Sequence, residues 1–269
     1  MEPLLLIPVK ILESLDLVLT FSLLVVRYTS FMWLMPGLAT GNTGKALRMP
    51  AGLAMAYASV LTSPVATVPD NIIMLGLMFG SEAVFGMVLG FIPAMIFSGV
   101  QVAGQLSSTT MGLGAAQLLD PTLGVSTSSI GRLMSDLSIV VFLFLGGHYI
   151  LIYAVAGLGG TIVPGSFVIT ETTASMLINS TARIFEIGVM ISAPVIVALL
   201  LTQFVMGLIT KAVPSVNIFI VSFPLTIGIG LILTGLSFPE IVVYLERHWQ
   251  SIEGSLITFT QSVQQVTIP

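Results

Sequence analysis

Residues 185–236 read FEIGVMISAPVIVALLLTQFVMGLITKAVPSVNIFIVSFPLTIGIGLILTGL, and this stretch decides the fold. Two long apolar runs flank the short break Lys211-Ala212-Val213-Pro214-Ser215. Proline disfavours helix at the residue before it and stops the helix there. Strands of membrane barrels alternate polar and apolar residues at every second position. These runs are continuously apolar and too long for such strands. Two helices joined by a tight turn, a helical hairpin, follow.

Working outward, the whole chain shares this character. Of its 269 residues, 55% are hydrophobic and 7% charged, and the mean hydropathy is +1.08. A soluble domain carries about 25% charged residues. A chain so poor in charge cannot cover a water-facing surface, so bilayer or other apolar subunits must surround it. Apolar segments fall at 17–35, 49–66, 72–100, 137–163, 184–209 and 216–238. The expected class is all-α, a polytopic membrane protein of helical hairpins forming one structural unit over 1–269. Its 26 glycines, several spaced like Gly86 and Gly90 or Gly228 and Gly230, let helix backbones approach closely in a membrane.

The stretch 101–129, QVAGQLSSTTMGLGAAQLLDPTLGVSTSS, holds one charge, Asp120. It is too polar for a lipid-facing span and too uncharged for an ordinary aqueous loop. Two readings stay open: irregular backbone buried in protein or lining a cavity, or a flexible surface loop. Charges in or near the apolar runs are costly in hydrocarbon and should face the bundle interior or water. They are Arg27, Glu82, Arg132, Asp136, Arg183 and Glu186. Spacing offers two local pairs, Arg132 with Asp136 and Arg183 with Glu186. These pairs sit at segment ends, which favours clamping between helices or subunits over a proton relay; Glu82 alone comes close to mid-span. In the tail, Val242, Leu245, Trp249, Ile252, Leu256, Phe259 and Val263 form an apolar helical stripe. Its few positive charges disfavour the lipid interface, so partner helices are expected to cover it, with Leu245, Trp249 and Ile252 as anchors.

Several chemistries are excluded. Cysteine is absent, which removes disulfides, thiolate metal sites and cysteine nucleophiles. Gly41-Asn42-Thr43-Gly44-Lys45-Ala46 fails as a phosphate loop, because Ala39 stands at the first glycine position and Ala46 replaces the magnesium-binding hydroxyl. His148 and His248 form no zinc-binding pair, and no G-x-S-x-G elbow accompanies the serines. The net charge of −4 comes with no basic patch for nucleic acid. Residues 1–16 lack the basic start and cleavage site of a signal peptide. The expectation is a non-enzyme without catalytic, cofactor or metal sites.

Three blocks resemble the FliR family of type III secretion. In the hairpin they are Ala193-Pro194, Met206-Gly207-Leu208, Pro214, Asn217-Ile218-Phe219 and Phe223-Pro224-Leu225. In the middle they are Gly104, Met111-Gly112, Ala115-Ala116, Asp120-Pro121, Gly124, Phe142-Leu143 and Gly147-His148. Near the start they are Arg27, Pro36 and Arg48-Met49-Pro50-Ala51. The family usually has glutamine after the turn proline, where this chain has Ser215.

The resemblance implies a fusion of FliP-like and FliQ-like folds. Residues 1–180 would be the FliP-like part, with a plug loop at about 104–129. Residues 181–269 would be the FliQ-like hairpin and an amphipathic C-terminal helix. It implies a pore plug of Met111, Gly112, Leu113, Gly114, Ala115, Ala116 and Gln117, with Asp120, Pro121 and Gly124 shaping the loop. Lys211, Pro214, Ser215 and Asn217 would form a turn facing an FlhB-like partner. FliP-like and FliQ-like subunits, unfolded export substrates and the inner membrane at the flagellar basal body complete the implied setting. A virulence injectisome homologue and a small-solute transporter are the alternatives; the latter would show an internal inverted repeat. Charge bias across the turns places odd-numbered turns in the cytoplasm and both termini outside.

Overall fold

A computed structural model describes residues 14–35, 42–113, 128–157, 162–213, 215, 218–249, 254 and 256. Among these there is no strand, and the fold is all-α. The helices are α1 (Leu15–Leu34), α2 (Asn42–Ser59), α3 (Ile72–Met111), α4 (Ser129–Phe144), α5 (Gly147–Val155), α6 (Glu171–Ala212) and α7 (Ile218–Leu236), followed by α8 (Phe238–Trp249).

The α1 helix, α3 and the Thr173–Ala212 stretch of α6 are each long and apolar enough to cross a membrane. Two further pairs pass only as bent spans: α4 with α5, bent by 75°, and Ile220–Leu236 with α8, bent by 46°. The expected segment 137–163 is therefore not one helix. Gly146 takes φ of 73° between α4 and α5, a left-handed conformation that ends one helix and lets the next leave at an angle. The expected segment 49–66 also stops short, at Ser59. The backbone beyond it is irregular but satisfied: Ala66 N–H donates to Thr20 Oγ1 at 2.9 Å and Val68 N–H to the Asp16 carboxylate at 3.0 Å. Side chains of α1 thus supply the acceptors that non-helical backbone needs where water is scarce.

The largest departure lies after segment 72–100. Helix α3 continues for 40 residues to Met111, so the polar run expected to be loop from about 104 is helical through 111. Its two threonines are held in the helix by hydroxyls returned to their own turns: Thr109 to Gln105 O and Thr110 to Leu106 O, both at 2.8 Å.

The chain divides into two compact units interleaved along the sequence. The first comprises 1–94, 143–180 and 248–269; the second comprises 95–142 and 181–247. The change along α3 falls next to Pro93.

In the first unit α1 packs on α2 and α3, with Leu23, Leu24, Phe31, Phe85 and Leu89 fully buried. Gly86 and Gly90 lie directly against the α1 backbone at Arg27 and Phe31. The Tyr28 hydroxyl meets Ser59 Oγ at 2.6 Å and ties α1 to the end of α2.

In the second unit α3 and α4 cross at Gly104 and Gly131. A Cβ on Gly104 would lie 2.5 Å from the Gly131 Cα, a backbone atom that cannot swing aside. Gly104→Val should therefore lower stability by about 1–3 kcal/mol through overpacking. Gly76→Ala, whose Cβ would meet nothing within 4 Å, should be neutral or mildly stabilising. Melting temperatures of the two variants in detergent check the contrast.

The hairpin is antiparallel as the opening stretch implied. Near the turn, Gln203 and Met206 of α6 face Ser222, Phe223 and Thr226 of α7 across a cleft of about 330 Å³. Farther away, Met190, Ile191 and Pro194 face Ser237, Glu240, Ile241 and Tyr244. Helix α6 starts with a reciprocal cap, in which Thr173 N–H donates to Thr170 Oγ1 and Thr170 N–H to Thr173 Oγ1.

Candidate functional site

Helix α3 ends at the threshold of the segment expected to be a plug, and its ending is well built. Gly112 takes φ of 88°. Its N–H donates to Thr109 O at 3.1 Å and the Leu113 N–H donates to Ser108 O at 3.2 Å. This pair of bonds is a Schellman motif, which satisfies two of the carbonyls that a helix leaves without partners. The hairpin supplies donors for the next two. Gln203 Nε2 donates to Thr110 O at 3.0 Å, and Thr226 Oγ1 donates to Met111 O at 3.0 Å.

The side chains fit as closely. Met111 is fully buried and lies in the space left by Gly230, where a Cβ would come within 2.4 Å of Met111 Cγ. The Phe223 ring rests on Gly112.

A second constellation lies in the first unit. Arg27 and Glu82 are fully buried and form an ion pair. Arg27 Nε donates to Glu82 Oε2 and Nη2 to Oε1 at 2.9 Å. Gly165 N–H adds a third donor to Oε1 at 2.6 Å. The guanidinium also lies over the Phe85 ring, 4.8 Å from its centroid, and Phe85 packs on Phe167 with centroids 5.2 Å apart. Two membrane helices and the irregular segment around Gly165 thus meet at one charge pair.

Of the charges expected to matter, the structure brings together Arg27 and Glu82. Arg132, Asp136, Arg183 and Glu186 are all exposed, and neither local pair closes to 4 Å, whereas Arg27 and Glu82 do. Of the expected plug, Met111 ends the helix, Gly112 caps it and Leu113 is exposed, while Gly114, Ala115, Ala116 and Gln117 lie outside the described residues, as do Asp120, Pro121 and Gly124. In the expected turn Lys211 and Ser215 are exposed; Pro214 and Asn217 lie outside the described residues. Leu245 and Trp249 are buried, and Ile252 lies outside. Sequence reasoning missed Gln203, Thr226 and Gly165, and marked Gly230 only as a glycine that lets helices approach closely. For the first two a signal existed: each is a polar residue inside an otherwise apolar run, where a hydrogen-bond partner is required.

Long apolar helices, a charge pair buried between them and irregular backbone satisfied by side chains define a polytopic α-helical membrane protein. Residues 18–252 match the family described as bacterial export proteins, family 1, and the chain belongs to that family. It is 27% identical over 248 residues to the flagellar biosynthetic protein FliR of Aquifex aeolicus (strain VF5), covering 92% of this chain and 96% of the relative. It is 26% identical to FliR of Escherichia coli (strain K12), covering 81% and 83%. The Yop proteins translocation protein T of Yersinia pestis is 28% identical, with 80% and 84% covered.

Proposed function

We propose that this chain is the FliR-type subunit of a flagellar type III export gate, and that with FliP-like and FliQ-like subunits it forms the channel for unfolded flagellar proteins across the inner membrane. Family membership supports the export role. The observation that carries the assembly is the match of residues 18–252 to the export-protein family, beside an exposed apolar face on α6: Val189, Val197, Leu201, Phe204, Leu208 and Ile209 are all exposed. From 189 to 209 the axial rise is roughly 30 Å, about the hydrocarbon thickness of a bilayer. Lipid or the apolar helices of neighbouring subunits must cover such a face.

In this reading the chain is a conduit component rather than an enzyme, placed at the flagellar basal body. The segment from Met111 through Gln117 acts as the pore plug, the turn around Lys211 and Ser215 faces an FlhB-like subunit on the cytoplasmic side, and the division at 180/181 separates FliP-like from FliQ-like parts. The flagellar relatives favour the flagellar system over an injectisome.

One isolation from cells tests this reading. The chain, carrying a photo-crosslinking residue at Ser215, should co-purify with FliP-like and FliQ-like subunits and give an adduct with the FlhB-like one. Recovery of the chain alone or as a homo-oligomer would reject the gate.

A further inference from the structure

We infer that the turn from Val163 to Ser166 is a latch that closes on the carboxylate of Glu82, and that the buried charge serves this acceptor role rather than contact between α1 and α3 alone. Glu82 is then a positioning residue for the start of α6, and Arg27 neutralises it. The sequence Val163-Pro164-Gly165-Ser166 has the form of a type II turn, with proline second and a glycine of positive φ third. Gly165 takes φ of 87°. The Ser166 N–H and hydroxyl both donate to Val163 O, at 3.2 and 2.6 Å. These bonds leave the Gly165 N–H outside the turn, and it donates to Glu82 Oε1 at 2.6 Å. Non-helical backbone needs such a partner where water is scarce.

The surrounding contacts make the turn a docked outer layer. Phe167 is buried against Phe85, the ring that also lies under the Arg27 guanidinium. A Cβ on Gly165 would come within 2.6 Å of Met78 Cε, so the turn lies close on α3. The next residues, Val168 and Ile169, are exposed. Thr170 follows and joins Thr173 in the cap that starts α6. Whatever positions the turn therefore positions the first turn of that helix.

Contact between α1 and α3 does not by itself call for charge, because apolar side chains of similar volume often pack about as well as a buried ion pair. Leucine at position 82 could not accept the Gly165 N–H. A carboxylate can, and a buried carboxylate needs a cation beside it. The latch thus accounts for both members of the pair.

Hydrogen exchange in the purified full chain tests the latch, whatever the chain exports. In Arg27→Met/Glu82→Leu, protection of the amides at 165 and 166 should fall about ten- to a hundredfold, the effect of a lost hydrogen bond to a charged group on a local opening equilibrium. Amides of α1 and α3 should keep parental protection. Parental protection at 165 and 166 would reduce the pair to a clamp and overturn the latch. Loss of protection in the turn and both helices together would also overturn it, since the turn would then be part of the core.

A second arm reaches the turn from its other side, with Arg27 and Glu82 intact. Gly165→Ala puts a Cβ on a left-handed backbone, and protection at 165 and 166 should fall about five- to thirtyfold. The variant should still accumulate in the membrane, with α1 and α3 protected as in the parent. Unchanged protection of the turn, or loss of the folded chain, would overturn the proposal.

Discussion

Glu82→Ala should nearly abolish accumulation of the chain in the membrane, whereas Arg27→Met/Glu82→Leu, which replaces both partners, should retain much of it. In the single variant Arg27 stays fully buried but loses both bonds to the carboxylate, and the Gly165 N–H loses its acceptor. Breaking a buried ion pair by removing one partner costs about 3–5 kcal/mol, because an uncompensated charge remains. Replacing both partners by apolar side chains of similar volume is often close to neutral. The matched double variant is therefore Arg27→Met/Glu82→Leu. Exposed Arg132→Ala, outside any such pair, should change stability by no more than about 0.5 kcal/mol. Membrane levels and melting temperatures in detergent give the order.

The double variant also separates two roles of Glu82. A clamp needs only a well-packed contact between α1 and α3, whereas a proton relay needs the carboxylate itself. The geometry favours the clamp. Both carboxylate oxygens are held by Arg27, and one also takes the Gly165 N–H. The double variant should support export. If it folds to parental levels yet exports nothing, the clamp is not the whole role of the pair.

The hairpin was legible in the sequence because its signal is local. Two apolar runs around Pro214 leave little choice of structure, and the facing of Met206 with Phe223 follows from the turn. The end of α3 was not legible. Serine and threonine at 107–110 read as loop-forming, but the Thr109 and Thr110 hydroxyls bond back into the helix, and the real terminator is Gly112 with its left-handed φ. Arg27 and Glu82 could each be marked as needing a partner. That they partner each other depends on α1 and α3 lying side by side, which sits 55 residues apart in the chain. In the sequence Gly230 is marked only as one of the small residues that let helices approach closely; that the Met111 side chain fills its place is visible only in the structure. For Arg132 with Asp136, and Arg183 with Glu186, favourable spacing was present without closure. On exposed helix faces such pairs contribute only about 0.2–0.5 kcal/mol, too little to hold two long side chains in place.

Trp249→Ala should weaken the chain by itself, before any partner is added. The apolar periodicity of the tail pointed to partner helices as its cover. The structure instead buries Ile241, Leu245, Trp249 and Leu256 within this chain, while Val243, Glu246 and Arg247 remain exposed. A stripe at helical spacing records that something covers those residues, and it carries no mark of whose surface does so. The inward row is also shifted from the expected one. It begins at Ile241, and Val242 is only half-buried. Removing a buried tryptophan side chain costs about 3–5 kcal/mol, a large fraction of the total stability of about 5–15 kcal/mol typical of a folded domain. Expressed without the other export subunits, Trp249→Ala should melt earlier in detergent and be cleaved faster by protease. Glu246→Ala, on the exposed face of the same turn, should match the parent. If the isolated Trp249→Ala chain is as stable as the parent and a defect emerges only in the assembled gate, partner helices cover the tryptophan after all.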